Sequence, residues 1–285
     1  MDILDTHQHL LLTERFRYSW CDELPALAGR RCGLEEYRAA AQGLGITRTL
    51  FMESGVDEAF TAAETAHVLG LAGQPTSGIV GVLGTARPEQ PDFPAHLEAM
   101  LHPKLKGLRR ILHVVPDSVA QTPCFAPHVA LLARHNLTFD LCLLPRQLGL
   151  GAALARKVPD VQFILDHCGV PDIAGGDAAA WRAAVQEVAR LPNVACKISG
   201  IVAYCDPARV TVEAVRPYVE HVVACFGWDR IVFGSDWPVC NLTSSLAAWV
   251  GIARALFAEE SAERQAKFFA GNAERLYRVP SSTGG

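Results

Sequence analysis

The feature that most constrains this chain is a repeated alternation along its whole length. A short β-rich apolar run is followed each time by a longer Ala/Leu-rich stretch. The strand-like runs are DILDTHQHL from Asp2, TRTLFMESG from Thr47, TSGIVGVLG from Thr76 and LKGLRRILH from Leu105. Four more are LTFDLCLL from Leu137, QFILDHCG from Gln162, NVACKISG from Asn193 and RIVFGSDWP from Arg230. Between them, segments such as EEYRAAAQGL, AWRAAVQEVARL and TVEAVRPYVEHVVACF repeat apolar residues at i, i+3 and i+4, the spacing of a helix with one buried face. Strands alternating with helices require a parallel sheet with right-handed crossovers. Eight of them predict a closed (β/α)8 TIM barrel, for which about 250 residues is typical. An open doubly wound sheet carries a glycine-rich phosphate loop after its first strand; here that strand ends in His-Gln-His. There is no internal repeat or long linker, so one domain is expected over residues 1–280, with a disordered tail at 281–285. Leu11 to Gly33 reads as a long first βα loop.

Composition narrows the function. Net charge is −4 and no Lys/Arg run exceeds a pair, which argues against nucleic acid as a partner. Asp2, Asp5 and two histidines interrupt the first apolar residues, so no secretory signal is read. No apolar run approaches the roughly 20 residues of a membrane span. The nine cysteines are scattered without a C-x-x-C pair, as expected of reduced thiols in a cytoplasmic protein. Nothing in the sequence points to an oligomeric state.

In a TIM barrel the working face is the C-terminal end of the strands. There the sequence places His7 and His9, Glu53, then Arg109, Arg110 and His113. Further on come Asp140 with Arg146 beyond it, Asp166 and His167, Lys197 and Ser199, and Ser235 and Asp236. Residues i and i+2 of a strand share a face at roughly 6–7 Å, so His7 and His9 can meet at one cation. Alone, such a pair reads equally well as polar residues capping a strand. With His167 and Asp236 in matching positions it reads as an N3O metal sphere, or as three ligands and an acid/base. Neutral imidazole with one carboxylate suits Zn²⁺ ahead of Mn²⁺ and Fe²⁺.

Alternation sends Arg109 and Arg110 to opposite faces. Arg109 shares its face with His113 and is expected in the pocket, whereas Arg110 is expected to pair with an outer helix. Asp166 should point away from His167 and serve as a supporting acid. Lys197 and Ser199 share a face, with no role beyond rim hydrogen bonding. Trp237 either covers the site or packs behind it, and Asn272 is read as a local helix cap. His67, His96, His102, His128, His135 and His221 fall in or at the end of helix-like segments and are expected at the surface.

Taken together, DTHQHL, KGLRRILH, FDLCLLPRQL, FILDHCGVPDI, CKISG, RIVFGSDWPVC and GNAERLYRV resemble the amidohydrolase superfamily. The likeness is to its amidohydrolase-2 branch, which contains sugar-acid lactonases, and it runs from Asp2 to about Val279. DHCG and GSDWP at their separation carry most of the specificity, since metal-dependent deoxyribonucleases of similar fold also open like DTHQHL. FRYSW, with Tyr18 and Trp20, resembles the lactonases too, where this loop helps form the substrate pocket. The chain departs from the wider superfamily in two places. No lysine suited to carbamylation ends a middle strand, and Asp140 stands where many hydrolases carry a histidine, so a two-metal site is not expected.

The resemblance implies hydrolysis of a sugar-derived 1,4- or 1,5-lactone in carbohydrate catabolism. The metal requirement varies within this branch, so His7, His9, His167 and Asp236 either hold one divalent ion, Zn²⁺ or Mn²⁺, or act without one. Opening a lactone needs an activated water, a polarised carbonyl and a resting place for the oxyanion. Asp236 is the expected general base, His167 is expected beside it in the catalytic set, and His113, Arg109 and Arg146 are the expected donors. Glu53 and Trp20 are expected to meet the sugar. Three other readings compete: a metal-dependent non-oxidative decarboxylase, a dicarboxylate lactone hydrolase clamped by Arg109 and Arg146, and a non-catalytic sugar-binding protein on the same frame.

Overall fold

A computed structural model describes residues 2–176 and 178–281. Eight parallel strands pair in chain order: β1 (Ile3–Gln8), β2 (Ile46–Met52), β3 (Ile79–Thr85), β4 (Leu105–Ile111), β5 (Thr138–Cys142), β6 (Phe163–Leu165), β7 (Val194–Ser199) and β8 (Ile231–Gly234). Each of the eight strand-like runs forms one strand. Helices α1 (Leu34–Ala41), α2 (Thr61–Ala72), α3 (Phe93–Met100), α4 (Phe125–Ala130), α5 (Leu148–Lys157), α6 (Ala179–Ala189), α7 (Val212–Phe226) and α8 (Leu246–Leu256) lie in the crossovers and after β8. The result is a nearly closed (β/α)8 TIM barrel. Of the tail expected at 281–285, residues 282–285 lie outside the described residues.

Burial on both faces explains why the strands read as continuous apolar runs. Leu4, Leu50, Met52, Leu83, Ile164, Ala195 and Val232 fill the barrel interior, while Phe51, Phe139, Phe163 and Phe233 belong to the layer shared with the helices. Ala273, Leu276 and Tyr277 of the closing helix join the interior cluster. Asn272 is not the cap expected of it. It lies inside that helical segment, where its amide donates to the carbonyls of Trp228 (2.7 Å) and Ile231 (2.8 Å) and ties the segment to the start of β8. Among the described residues no helix is long and apolar enough to cross a membrane.

The barrel closes at the residues that matter for chemistry. Beyond the end of β8, the Asp236 amide donates to the His7 carbonyl and the His9 amide to the Trp237 carbonyl, both at 2.9 Å. Asp5 reinforces this seam: its Oδ1 accepts from the amides of His7 (3.0 Å) and Ser235 (2.7 Å), and its Oδ2 from the Tyr37 hydroxyl (2.6 Å). Trp237 packs behind the seam, edge-on to Tyr37.

Candidate active site

A cavity of about 520 Å³ opens at the C-terminal ends of the strands. His9, Glu53, Arg109, His113, His167 and Asp236 line it, and His7 lies buried beside them. Asp236 is the hub. One of its oxygens, Oδ1, is 3.2 Å from His9 Nε2 and 3.6 Å from His7 Nε2; the other, Oδ2, is 3.7 Å from His167 Nδ1. The ends of β1, β6 and β8 therefore meet around a single carboxylate. Two glycines make the approach possible. A Cβ on Gly234 would stand 2.8 Å from His7 Cβ, and one on Gly200 only 2.1 Å from Asp236 Oδ2. His167, Cys168, Val170 and Asp236 all adopt positive φ, between 53° and 58°, which packing must hold in place.

These donors fit a divalent cation. His9 Nδ1 is 3.0 Å from the Met52 carbonyl, which can only accept, so that nitrogen carries the proton. The lone pair on Nε2 then faces the Asp236 carboxylate, acceptor against acceptor, an arrangement a cation resolves. Ligand atoms of His7, His9 and Asp236 all lie within 4.8 Å of one another. A second trio, His7, Asp166 and His167, meets the same spacing. There, however, the Lys197 ammonium already stands 3.1 Å from Asp166 Oδ1, which leaves no call for a second cation.

Beneath the cluster runs a chain of buried charges. Glu53 Oε1 accepts from Arg109 Nε at 2.8 Å, and Arg109 Nη1 reaches Asp166 Oδ2 at 3.4 Å. Lys197 then bridges Asp166 (3.1 Å) and Asp140 (2.6 Å). Burial alone would raise every carboxyl here. Against that, Lys197 and His7 hold Asp166 well below the usual range, whereas Asp140, with Asp166 as a neighbour, rises to about 7. Burial and the charge of Lys197 push His7 well down, and burial takes His113 to about 4, so both rings are neutral near pH 7. His113 Nδ1 contacts Cys142 Sγ at 3.1 Å.

Sequence-derived expectations fare unevenly here. His7, His9, His167, Asp236, Arg109, His113, Glu53 and Trp20 come together. Arg146 does not: its side chain is 58% exposed and grips Asp117 at 2.7 Å, because a short helical turn starting at Pro145 carries it away from the mouth. Asp166 does not point away from His167. The left-handed turn at His167 ends the strand alternation, and both side chains face inward. Lys197 is fully buried rather than at the rim. Arg110 pairs with Glu89 (2.7 Å), in the loop between β3 and α3 rather than on an outer helix. Among the histidines expected at the surface, His67, His128, His135 and His221 are half-buried, and His128 and His221 bond to the carbonyls of Pro88 and Arg182.

A profile of the amidohydrolase family matches residues 4–279. This protein belongs to the amidohydrolase family. The amidohydrolase is 30% identical over 293 residues to L-fucono-1,5-lactonase of Burkholderia ambifaria, covering 99% of this chain and 97% of that one. It is 26% identical to L-rhamnono-gamma-lactonase of Scheffersomyces stipitis, over 61% of this chain and 59% of that one. A crystal structure of an amidohydrolase from Burkholderia multivorans with bound zinc has a TM-score of 0.89 to this fold. That match has 27% identity and covers 98% of this chain and 100% of the other.

Behind the cavity wall, Glu64 on α2 is fully buried. Its Oε2 faces the Ser54 amide at 3.3 Å, and burial, with the charge of Glu53, raises its pKa from 4.5 to about 8. Between those two values the folded protein keeps a proton that the unfolded chain has lost. Stability therefore falls as pH rises through that window. Glu64→Gln is expected to flatten this fall. Urea unfolding midpoints near pH 5 and pH 8 check it: a variant as pH-dependent as the parent would remove Glu64 from the account.

Proposed function

We propose that this amidohydrolase opens a sugar-derived lactone, of the L-fucono-1,5-lactone class, to the free acid. Convergence of His7, His9 and His167 on Asp236 inside one cavity carries the reading, and the lactonase relatives support it. His7, His9 and Asp236 would hold a divalent cation, zinc by analogy with the zinc-bound relative; when bound it supplies Lewis acidity and an acidified water. Asp236 takes the proton of the attacking water on a carboxylate oxygen. That proton passes to the ring oxygen as the acyl C–O bond breaks, leaving the acid and a hydroxyl. His9, fixed by the Met52 carbonyl, keeps Nε2 aimed at Asp236.

Charge pairing favours an uncharged substrate. Each arginine at the cavity already faces a glutamate: Arg109 with Glu53, Arg110 with Glu89 and Arg87 with Glu58. A decarboxylase or a dicarboxylate lactonase needs a cationic clamp on its substrate, and none of these is uncommitted. Glu53, bonded to Arg109, the Gly55 amide (2.9 Å) and Thr85 (3.3 Å), has little capacity left for sugar hydroxyls. Trp20, Val56, Ile111, Val114 and Val239 instead give the outer wall an apolar surface suited to the C–H face of a sugar ring. A lactone panel followed by a pH indicator, with and without chelator and added Zn²⁺ or Mn²⁺, tests the proposal. Acid release from aldonolactones is the expected result. Release of CO2 from an aromatic acid, with no aldonolactone opened, would overturn it.

A further inference from the structure

Donors reaching the cavity can be followed to their partners. Arg109 Nε and Nη2 bond to the carboxylate (2.8 Å) and the carbonyl (2.7 Å) of Glu53, and Nη1 lies 3.2 Å from His7 Nε2. Arg87 is held by Glu58, and Trp20 Nε1 by the Ser54 carbonyl at 2.9 Å. Ser54 gives its hydroxyl to the Leu10 carbonyl. Tyr204 is different: it lines the cavity, yet its hydroxyl has no hydrogen-bond partner among the described residues.

Its position follows from the site itself. Tyr204 ends the turn Ile201–Tyr204, which begins after Gly200, the residue pressed against the Asp236 carboxylate. Its ring stands edge-on to His167, centroids 6.3 Å apart. Burial, then the charge of Asp236, holds the phenol well above its usual pKa, so the O–H is intact at neutral pH.

We propose that Tyr204 is a catalytic residue whose hydroxyl hydrogen-bonds the lactone carbonyl oxygen and stabilises the oxyanion formed there. This rests on the lactone reading above. As the water oxygen bonds to the carbonyl carbon, the C=O π pair moves onto that oxygen and the water proton moves to Asp236. Tyr204 keeps its own proton and donates a hydrogen bond. The pair returns as the ring C–O bond breaks, and the departing alkoxide takes the proton Asp236 held. Arg109, expected in this role from sequence, is committed to Glu53.

Steady-state kinetics of the wild type and Tyr204→Phe on L-fucono-1,5-lactone and the panel lactones test this. Removing a hydroxyl without a protein partner leaves no orphaned group, so the variant should fold with an unchanged melting temperature. The expected result is a kcat lower by about 10²-fold with KM within about twofold, as for loss of one oxyanion donor. An unchanged kcat, or a raised KM at full kcat, overturns the assignment while leaving the lactone reading intact. A wild type silent on every lactone overturns both.

Discussion

Asp236→Asn is expected to lower kcat for lactone hydrolysis by about 10³-fold, within the range for loss of a positioned general base. Asparagine keeps the shape and one carbonyl oxygen toward His9 but cannot accept the water proton at neutral pH. The backbone bond from residue 236 to the His7 carbonyl, which closes the barrel, is untouched. Substrate affinity should therefore survive the loss of turnover. Stopped-flow or steady-state kinetics beside a binding isotherm separates the two quantities. Turnover at the wild-type rate would show that another group activates the water.

The largest stability effect is expected at Lys197. Its ammonium lies fully buried between Asp140 (2.6 Å) and Asp166 (3.1 Å), and Tyr277 donates to the same Asp140 oxygen at 3.1 Å. Lys197→Met fills the space with a side chain of similar length but takes away the only cation beside Asp140 among the described residues and leaves Asp166 with Arg109 alone. Removing one member of a buried ion pair costs about 3–5 kcal/mol, and Asp140 and Asp166 are then driven toward their neutral forms. Urea unfolding of the variant should report a loss of that order. A change below about 1 kcal/mol would mean that the charges are already neutral in the native state, contrary to the pairing described.

Much of this was legible in the sequence, for reasons that differ by residue. The eight strands were readable because strands buried on both faces have to be apolar throughout. His7 and His9 were readable because they stand two residues apart at the end of β1, where i and i+2 share a face, even though the register of β1 against β2 shifts between Asp5 and Gln8. Asp166 was misread because strand alternation fails where the backbone turns left-handed at His167. Arg146 was misread because a turn, not a strand, carries it, and Asp117 captures it. Glu53 and Arg109 were placed correctly, but their mutual commitment is a pairing between β4 and the residue just after β2, which no local pattern reports. Tyr204 left no signal at all, since it sits in an irregular turn after β7. Asp5, visible beside the histidines, gained its meaning only from the seam it closes with Ser235.

A double-mutant cycle measures directly whether His9 and Asp236 act as one unit on one water. Groups that work together lose most of their effect with the first removal, so their losses do not multiply. The quantity to compare is kcat/KM for L-fucono-1,5-lactone in the wild type, His9→Ala, Asp236→Asn and the double variant. A double variant within a few-fold of Asp236→Asn alone is the expected result. Losses that multiply in full would show two residues acting independently, and would contradict a shared reaction centre at the ends of β1 and β8.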